Sequence, residues 1–307
     1  MRYKLGEIFN LQMGKTPDRH SPKFWNEGTE PWISIADLTK CNKYIENTAE
    51  KITATAVDES GIKIIPKNTV IMSFKLSIGK VAITPKEMYS NEAIMSFIDK
   101  GVLKIEPVYL YYLLMHKDWD TGTNKAVMGK TLNKASLSQM TVNIHGYSEQ
   151  LEIIKALDAA SSIIAARKQQ LTELDNLIKS RFVEMFGDPV SNPKDWNVEP
   201  LGKRCGIITG NTPPRSEPEN YGKYIEWIKS DNINTPFTFI TKAQECLSEA
   251  GFEKCRFVEA GSILMTCIAG SINCIGNVAV TDRRVAFNQQ INAIVPEQDE
   301  VLYLYWL

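Results

Sequence analysis

The stretch Ser148–Phe186, SEQLEIIKALDAASSIIAARKQQLTELDNLIKSRFVEMF, contains no Pro or Gly and decides how the chain is organised. Leu157, Ile164, Leu171 and Ile178 recur every seven residues, and Ile153, Leu174, Leu177 and Phe182 fill in at three- and four-residue steps. One apolar stripe therefore runs along one helix with coiled-coil spacing. Ser148 suits an N-cap, and Gly187 followed by Pro189 suits a stop. At 1.5 Å per residue the helix spans roughly 55 to 60 Å, the length of a spacer. The alternative is a long helix packed on its own domain.

Outward from this helix, 307 residues with 43% hydrophobic and 23% charged side chains leave room for two domains with separate cores. Residues 1–146 mix short β-branched runs, such as Thr69–Ser73 and Lys80–Ile83, with turns and a helix near Val108–His116. The fold class expected is α+β. The divisions expected are a first domain at 1–146, the spacer at 147–187 and a second domain at 188–307, opening with the turn-rich Gly187-Asp188-Pro189-Val190-Ser191-Asn192-Pro193.

The second half repeats the first. Leu5-Gly6 returns as Leu201-Gly202, Gly14-Lys15-Thr16-Pro17 as Gly210-Asn211-Thr212-Pro213, and Trp32-Ile33 as Trp227-Ile228. Val70–Ser73 matches Ile263–Thr266, Gly79–Ile83 matches Gly276–Val280, Asn91–Ile94 matches Asn288–Ile291, and Leu110–Leu113 matches Leu304–Leu307. An ordered series of this kind marks an internal duplication. Its arithmetic predicts roughly 70 further residues in a complete second copy, ending in a second long helix. The two helices would run antiparallel and bury their stripes on each other, and without that partner the stripe predicts pairing with a second copy of the chain. The pairing residues expected are Leu157, Ile164, Leu171, Leu174 and Ile178. Two readers at a set separation suit duplex DNA, which repeats about every 34 Å.

Composition excludes several other classes. The net charge of −1 gives no global signal for nucleic acid, but Gly61–Lys86 and Thr121–Ser148 contain lysines and no acid. No run approaches the 18 or so apolar residues of a membrane helix, and the N-terminus lacks a secretion signal, so the cytoplasm is expected and no membrane. Six cysteines without a C-x-x-C pair, and histidines only at 20, 116 and 145, favour neither zinc nor disulfides. Gly14-Lys15-Thr16 is not a phosphate loop, because Gly6 stands eight residues before Gly14 rather than five. Its glycine more simply permits a turn. Trp32 and Trp227 read as core, while Asn91 and Asn288 fit either buried framework or a DNA-facing position. No methyltransferase, metalloprotease or serine-hydrolase motif is present, so no catalysis and no metal site are expected.

Taken together, LGEIFNLQMGKTP, FWNEGTEPWISIADL, EQLEIIKALDAASSIIAARKQQLTELDNLI and Asn288-Gln289-Gln290 resemble the specificity subunit of type I restriction-modification systems over nearly the whole chain, with the C-terminal part missing. Val142–Tyr147 lacks the Pro-rich lead-in usual there. The resemblance implies two target recognition domains, each reading half of a split DNA site, separated by helices that bind methyltransferase (modification) subunits. It also implies a non-catalytic chain without cofactors of its own. S-adenosylmethionine, Mg and ATP would serve the methyltransferase and the restriction subunits. DNA contacts are expected from Lys15, Thr16, Arg19, Lys75, Ser77, Lys80, Lys125, Lys130 and Lys134 in the first domain. In the second they are expected from Asn211, Thr212, Arg215, Lys229, Asn273, Asn277, Arg283 and Arg284. Lysines would hold phosphates, and Arg, Asn, Gln and Ser would more often read bases. A scaffold that binds proteins through the long helix is the competing reading.

Overall fold

The computed structural model describes residues 1–75, 77–119, 124–126, 129–297 and 300–307, with backbone only for 124–126 and 129–131. The chain forms two compact units, Met1–Lys168 and Gln169–Leu307, so the division falls inside the long helix and not at its ends.

In the first unit a four-stranded antiparallel sheet runs in the order Phe9–Met13, Ile94–Asp99, Val70–Ser73, Val81–Ile83. All four residues of Val70–Ser73 are buried. Alternation along the strand explains how: Val70 and Met72 face one apolar cluster, while Ile71 faces another with Ile33, Leu38 and Ile45. The first cluster is closed by the helix Pro107–Met115, in which Tyr109, Leu110, Tyr111, Tyr112 and Leu114 are all buried. A smaller sheet pairs Glu30–Ile33 with Glu50–Ile52 and, in parallel, with Tyr89–Ser90.

The second unit repeats this topology. Its four-stranded sheet runs Cys205–Thr209, Ile291–Pro296, Ile263–Thr266, Val278–Val280, and its second sheet pairs Tyr221–Ile228 in parallel with Val285–Phe287. Trp32 and Trp227 occupy the same place in the two parallel pairs and are buried, at 1% and 3% exposed.

The long helix is Tyr147–Phe186. Ser148 does not cap it. The Gly146 N–H donates to the Glu149 carboxylate at 2.9 Å, and the Gln150 N–H bonds the Gly146 carbonyl at 2.9 Å, so Gly146 holds the cap position. Gly187 does end the helix, at φ +85°, with its N–H on the Val183 carbonyl. Lys194 Nζ and Trp196 Nε1 bond the last carbonyls, Met185 O at 2.7 Å and Phe186 O at 2.6 Å.

The first turns of the helix belong to the first core. Ile153, Ile154 and Leu157 pack against it, so Leu157 is core and not part of an open pairing face. Asp158 accepts bonds from Lys43 Nζ and from the Tyr112 hydroxyl. Partial burial pushes the Asp158 pKa up, but these two donors outweigh it and the net displacement is downward. Farther along, Ile164, Leu171, Leu174 and Ile178 are exposed, Leu171 by 64%.

Two long-range links fix where the helix begins. Arg2–Lys4 pairs antiparallel with Thr141–Asn143, and the Met1 ammonium donates to Ile144 O at 2.8 Å. Gln150, 1% exposed, donates from Nε2 to Lys104 O and His145 O, while its Oε1 accepts from Glu106 N. Gln150→Ala removes a fully satisfied buried amide and strands these partners. It should destabilise the first unit by about 1 to 3 kcal/mol in urea unfolding, and a neutral result would show the site is open to water.

Candidate nucleic-acid interface

The duplicated Gly-x-Thr-Pro segment leaves its sheet in the same way in both units. Gly14 N–H bonds Ile94 O at 3.2 Å and Lys15 N–H bonds Ser90 O at 2.8 Å; Gly210 N–H bonds Ile291 O at 3.0 Å and Asn211 N–H bonds Phe287 O at 3.1 Å. A Cβ on Gly14 would lie 2.2 Å from the Asn91 carbonyl oxygen, and one on Gly210 would lie 2.2 Å from that of Asn288. Two backbones touch there, and only glycine fits.

The facing turn is equally matched. Asn91 N–H bonds Ile33 O and its Oδ1 accepts from Ala93 N; Asn288 N–H bonds Ile228 O and its Oδ1 accepts from Gln290 N. Both asparagines are therefore framework. Above them the Thr16 hydroxyl donates to the Glu92 carboxylate, and the Thr212 hydroxyl to the Gln289 carbonyl. The tryptophan indoles complete the match, with Trp32 Nε1 on Lys15 O at 3.1 Å and Trp227 Nε1 on Asn211 O at 3.4 Å.

Cations gather on this frame. Arg19 lies 3.9 Å over Trp25 and 4.7 Å from Trp32 and pairs with Glu50; Arg215 lies over Tyr221 and Trp227 and pairs with Glu245. Lys229 bonds the same Glu245 at 2.9 Å, and Lys229 first, then Arg215, hold that carboxyl below the ordinary range. Lys75 and Arg19 act electrostatically on Glu92, whose pKa is lowered chiefly by the Thr16 bond. Thr16, Arg19, Lys75 and Glu92 thus share one place.

The remaining expected contacts divide. Lys15 Nζ bonds Ser60 O, Lys80 Nζ bonds Thr39 Oγ1 at 2.6 Å, and Lys134 is exposed at the start of a short helix. Ser77 sits in the turn beyond Lys75, its N–H on Lys75 O at 2.7 Å. The side chains of Lys125 and Lys130 lie outside the described residues. Asn211 is occupied by the Lys254 carbonyl and the Arg256 N–H. Arg283 forms a fork with Glu226 at 2.7 and 2.8 Å, holding that carboxyl low, and Arg284 pairs with Glu259. Asn277 bonds Asn234 at 2.9 Å, tying down the exposed loop that carries Asn273 and Ile272. Glu92 and Gln289 stand in this frame but are not among the expected contacts, although glutamine is one of the residue types expected to read bases. Their signal was in the repeat, where two different side chains stand in one frame.

Among the described residues no group of three His, Cys, Asp or Glu is placed to hold a metal, and no helix is long and apolar enough to cross a membrane.

The described pattern of the type I restriction modification DNA specificity domain matches residues 1–176 and 193–307, and the chain belongs to that family. It is 28% identical over 233 residues to the type I restriction enzyme MjaIX specificity subunit of Methanocaldococcus jannaschii, covering 70% of this chain and 53% of that protein. It is 32% identical over 184 residues to the HindI specificity subunit of Haemophilus influenzae, covering 57% of this chain and 38% of that protein. The chain thus spans about half the length of these relatives or less. Among solved structures, the type I restriction-modification S subunit of M. genitalium aligns with a TM-score of 0.50 at 14% identity, over 100% of this chain and 75% of that one. A structure described for complex assembly and conformational transition of the type I R-M system aligns at 0.53 and 16% identity, over 99% and 78%. These likenesses concern the fold, the α+β architecture of two sheet-rich units and one long helix.

Gly14→Ala and Gly210→Ala force the two backbones apart, each in its own unit. Each should cost about 1 to 3 kcal/mol, read as faster amide exchange in the strands of the altered unit alone. Exchange raised equally in both units would contradict the local closure.

Proposed function

We propose that the chain is a non-catalytic DNA-recognition subunit that directs a type I restriction-modification complex to a bipartite site, one half for each unit. The observation that carries this is the doubled frame, in which Gly, Thr, Trp and Asn make the same bonds twice while the exposed side chains around them differ. One scaffold with two sets of outward groups suits two half-sites of unlike sequence. Family membership supports the same reading. Methylation with S-adenosylmethionine, and ATP- and Mg-dependent translocation and cleavage, then fall to partner methyltransferase and restriction subunits in the cytoplasm.

Lys75, Lys80 and Lys134 are the phosphate-holding groups in this reading, with Lys15 beside them, whereas Arg283 and Arg284 steady the second unit through their carboxylates. Lys75→Ala or Lys134→Ala should weaken binding to all duplexes alike and lower the slope of log affinity against log salt by about one. Arg283→Met should lower thermal stability and leave the slope unchanged. A changed base preference in either lysine variant would reassign that lysine to base reading.

The exposed part of the stripe, Ile164 to Ile178, is the surface for a helical partner, either a methyltransferase subunit or a second copy of the chain. Leu171→Lys should abolish association with the methyltransferase, or between copies, in sedimentation experiments while both units stay folded. Unchanged assembly would remove the helix from the interface.

A further inference from the structure

We propose that Glu92 and Gln289 are equivalent base-reading side chains of opposite hydrogen-bonding sense, Glu92 accepting from the exocyclic amino group of cytosine or adenine and Gln289 donating to a base acceptor. This rests on the DNA-recognition reading and specifies its chemistry at one position in each unit.

The first ground is position. Each side chain is exposed and follows the asparagine of a turn whose backbone is held at several points. In the first unit Asn91 N–H is on Ile33 O at 3.0 Å, Ile94 N–H is on Asn91 O at 3.2 Å, and Gly14 closes against the carbonyls beneath. The second unit reproduces these bonds through Asn288, Ile291 and Gly210. A threonine hydroxyl then fixes the side chain itself, Thr16 for Glu92 and Thr212 for Gln289. A group held by its own backbone and by a neighbouring donor is oriented before any ligand arrives.

The second ground is unused capacity. A carboxylate offers about four acceptor sites and no donor. Glu92 makes no ion pair among the described residues, because Arg19 is committed to Glu50 and Lys75 lies over the Phe74 ring. Beyond the Thr16 hydroxyl and its own backbone N–H it keeps accepting capacity on an exposed side chain, beside Lys75, which can draw a phosphate close. Against DNA an acceptor there needs a donor, and in the major groove the amino groups at cytosine N4 and adenine N6 are the base-edge donors. Gln289 is exposed and gives its carbonyl to Thr212, which leaves the amide N–H bonds as the part of the side chain that can donate to guanine O6 or N7, adenine N7 or thymine O4.

The third ground is the contrast between units. Gly14, Thr16, Asn91 and Ile94 recur as Gly210, Thr212, Asn288 and Ile291, and although Ser90 and Ala93 become Phe287 and Gln290 the turn keeps its bonds, while Glu and Gln, nearly equal in shape, replace one another where their hydrogen-bonding sense differs. Folding needs only an acceptor for the threonine hydroxyl, which both provide.

The test is selection of duplexes from a randomised library by the full chain bound to its methyltransferase subunit, comparing wild type with Glu92→Gln, Glu92→Asp and Gln289→Glu. Glu92→Gln should change the preferred base at one position of one half-site, with discrimination there altered by about tenfold to a hundredfold. Glu92→Asp should keep that preference but flatten it, because the acceptor is withdrawn by one methylene. Gln289→Glu should act at one position of the other half-site. Cytosine or adenine at the Glu92 position in wild type separates the two amino groups. Unchanged preferences in all three variants, or uniform affinity loss with melting temperatures preserved, overturns the assignment while leaving the recognition reading intact. A wild-type complex that selects no sequence overturns both.

Discussion

The contact on which each unit depends is the touching of two backbones, Gly14 against Ser90 and Asn91, and Gly210 against Phe287 and Asn288. Nothing larger than hydrogen fits there, so the loop that carries the outward side chains is tied directly to the end of a strand, Tyr89–Ser90 in the first unit and Val285–Phe287 in the second. The tie also decides what the buried tryptophan does. Its indole N–H, which must find an acceptor once buried, takes the carbonyl of the residue after the glycine and so becomes a second support of the same loop. The exposed residues move with the sheet and not as a free loop.

This economy explains why so many charged residues near the frame are unavailable to a ligand. Arg19 and Arg215 lie over aromatic rings with their guanidinium groups paired to Glu50 and Glu245, and Arg283 is forked onto Glu226. Planar guanidinium suits such stacked and bidentate positions, which a lysine could fill less well. Lys75 and Lys134 make no such commitment to a carboxylate among the described residues. The lysines, chosen from the sequence because their neighbourhoods lack acids, fit an electrostatic role better than the arginines chosen beside them.

The duplication, the strands, the end of the long helix at Gly187 and the burial of Trp32 and Trp227 were legible because each leaves a local or repeated pattern. The start of the helix was not. Ser148 looked like a cap, but the true start is fixed by Glu149 folding back on Gly146, by Gln150 reaching Lys104 and Glu106, and by Met1 pairing with Ile144. These partners lie up to 143 residues apart, and no periodicity encodes them. Leu157 misled for a related reason. Heptad spacing places it with Ile164 and Leu171, yet spacing reports only which side chains share a face, and the first unit covers that face as far as Leu157. Asn91 and Asn288 could not be assigned from residue type, because the same amide caps a turn or reads adenine according to what faces it.

The Asp158 site is where this cover ends, and its chemistry suits an end. Lys43 and Tyr112 converge on one carboxylate at the rim of the first core, half-buried, where bonds to charged groups are stronger than in open water. Tyr112 also reaches the Ser161 hydroxyl at 3.4 Å, and past it Ile163, Ile164, Leu171, Leu174, Leu177 and Ile178 are exposed, whereas Phe182 and Phe186 pack with Tyr303. A helix that merely supported its own domain would become polar there. The apolar side chains left exposed between these two sets of contacts are the ones that the proposed pairing with another helix would cover.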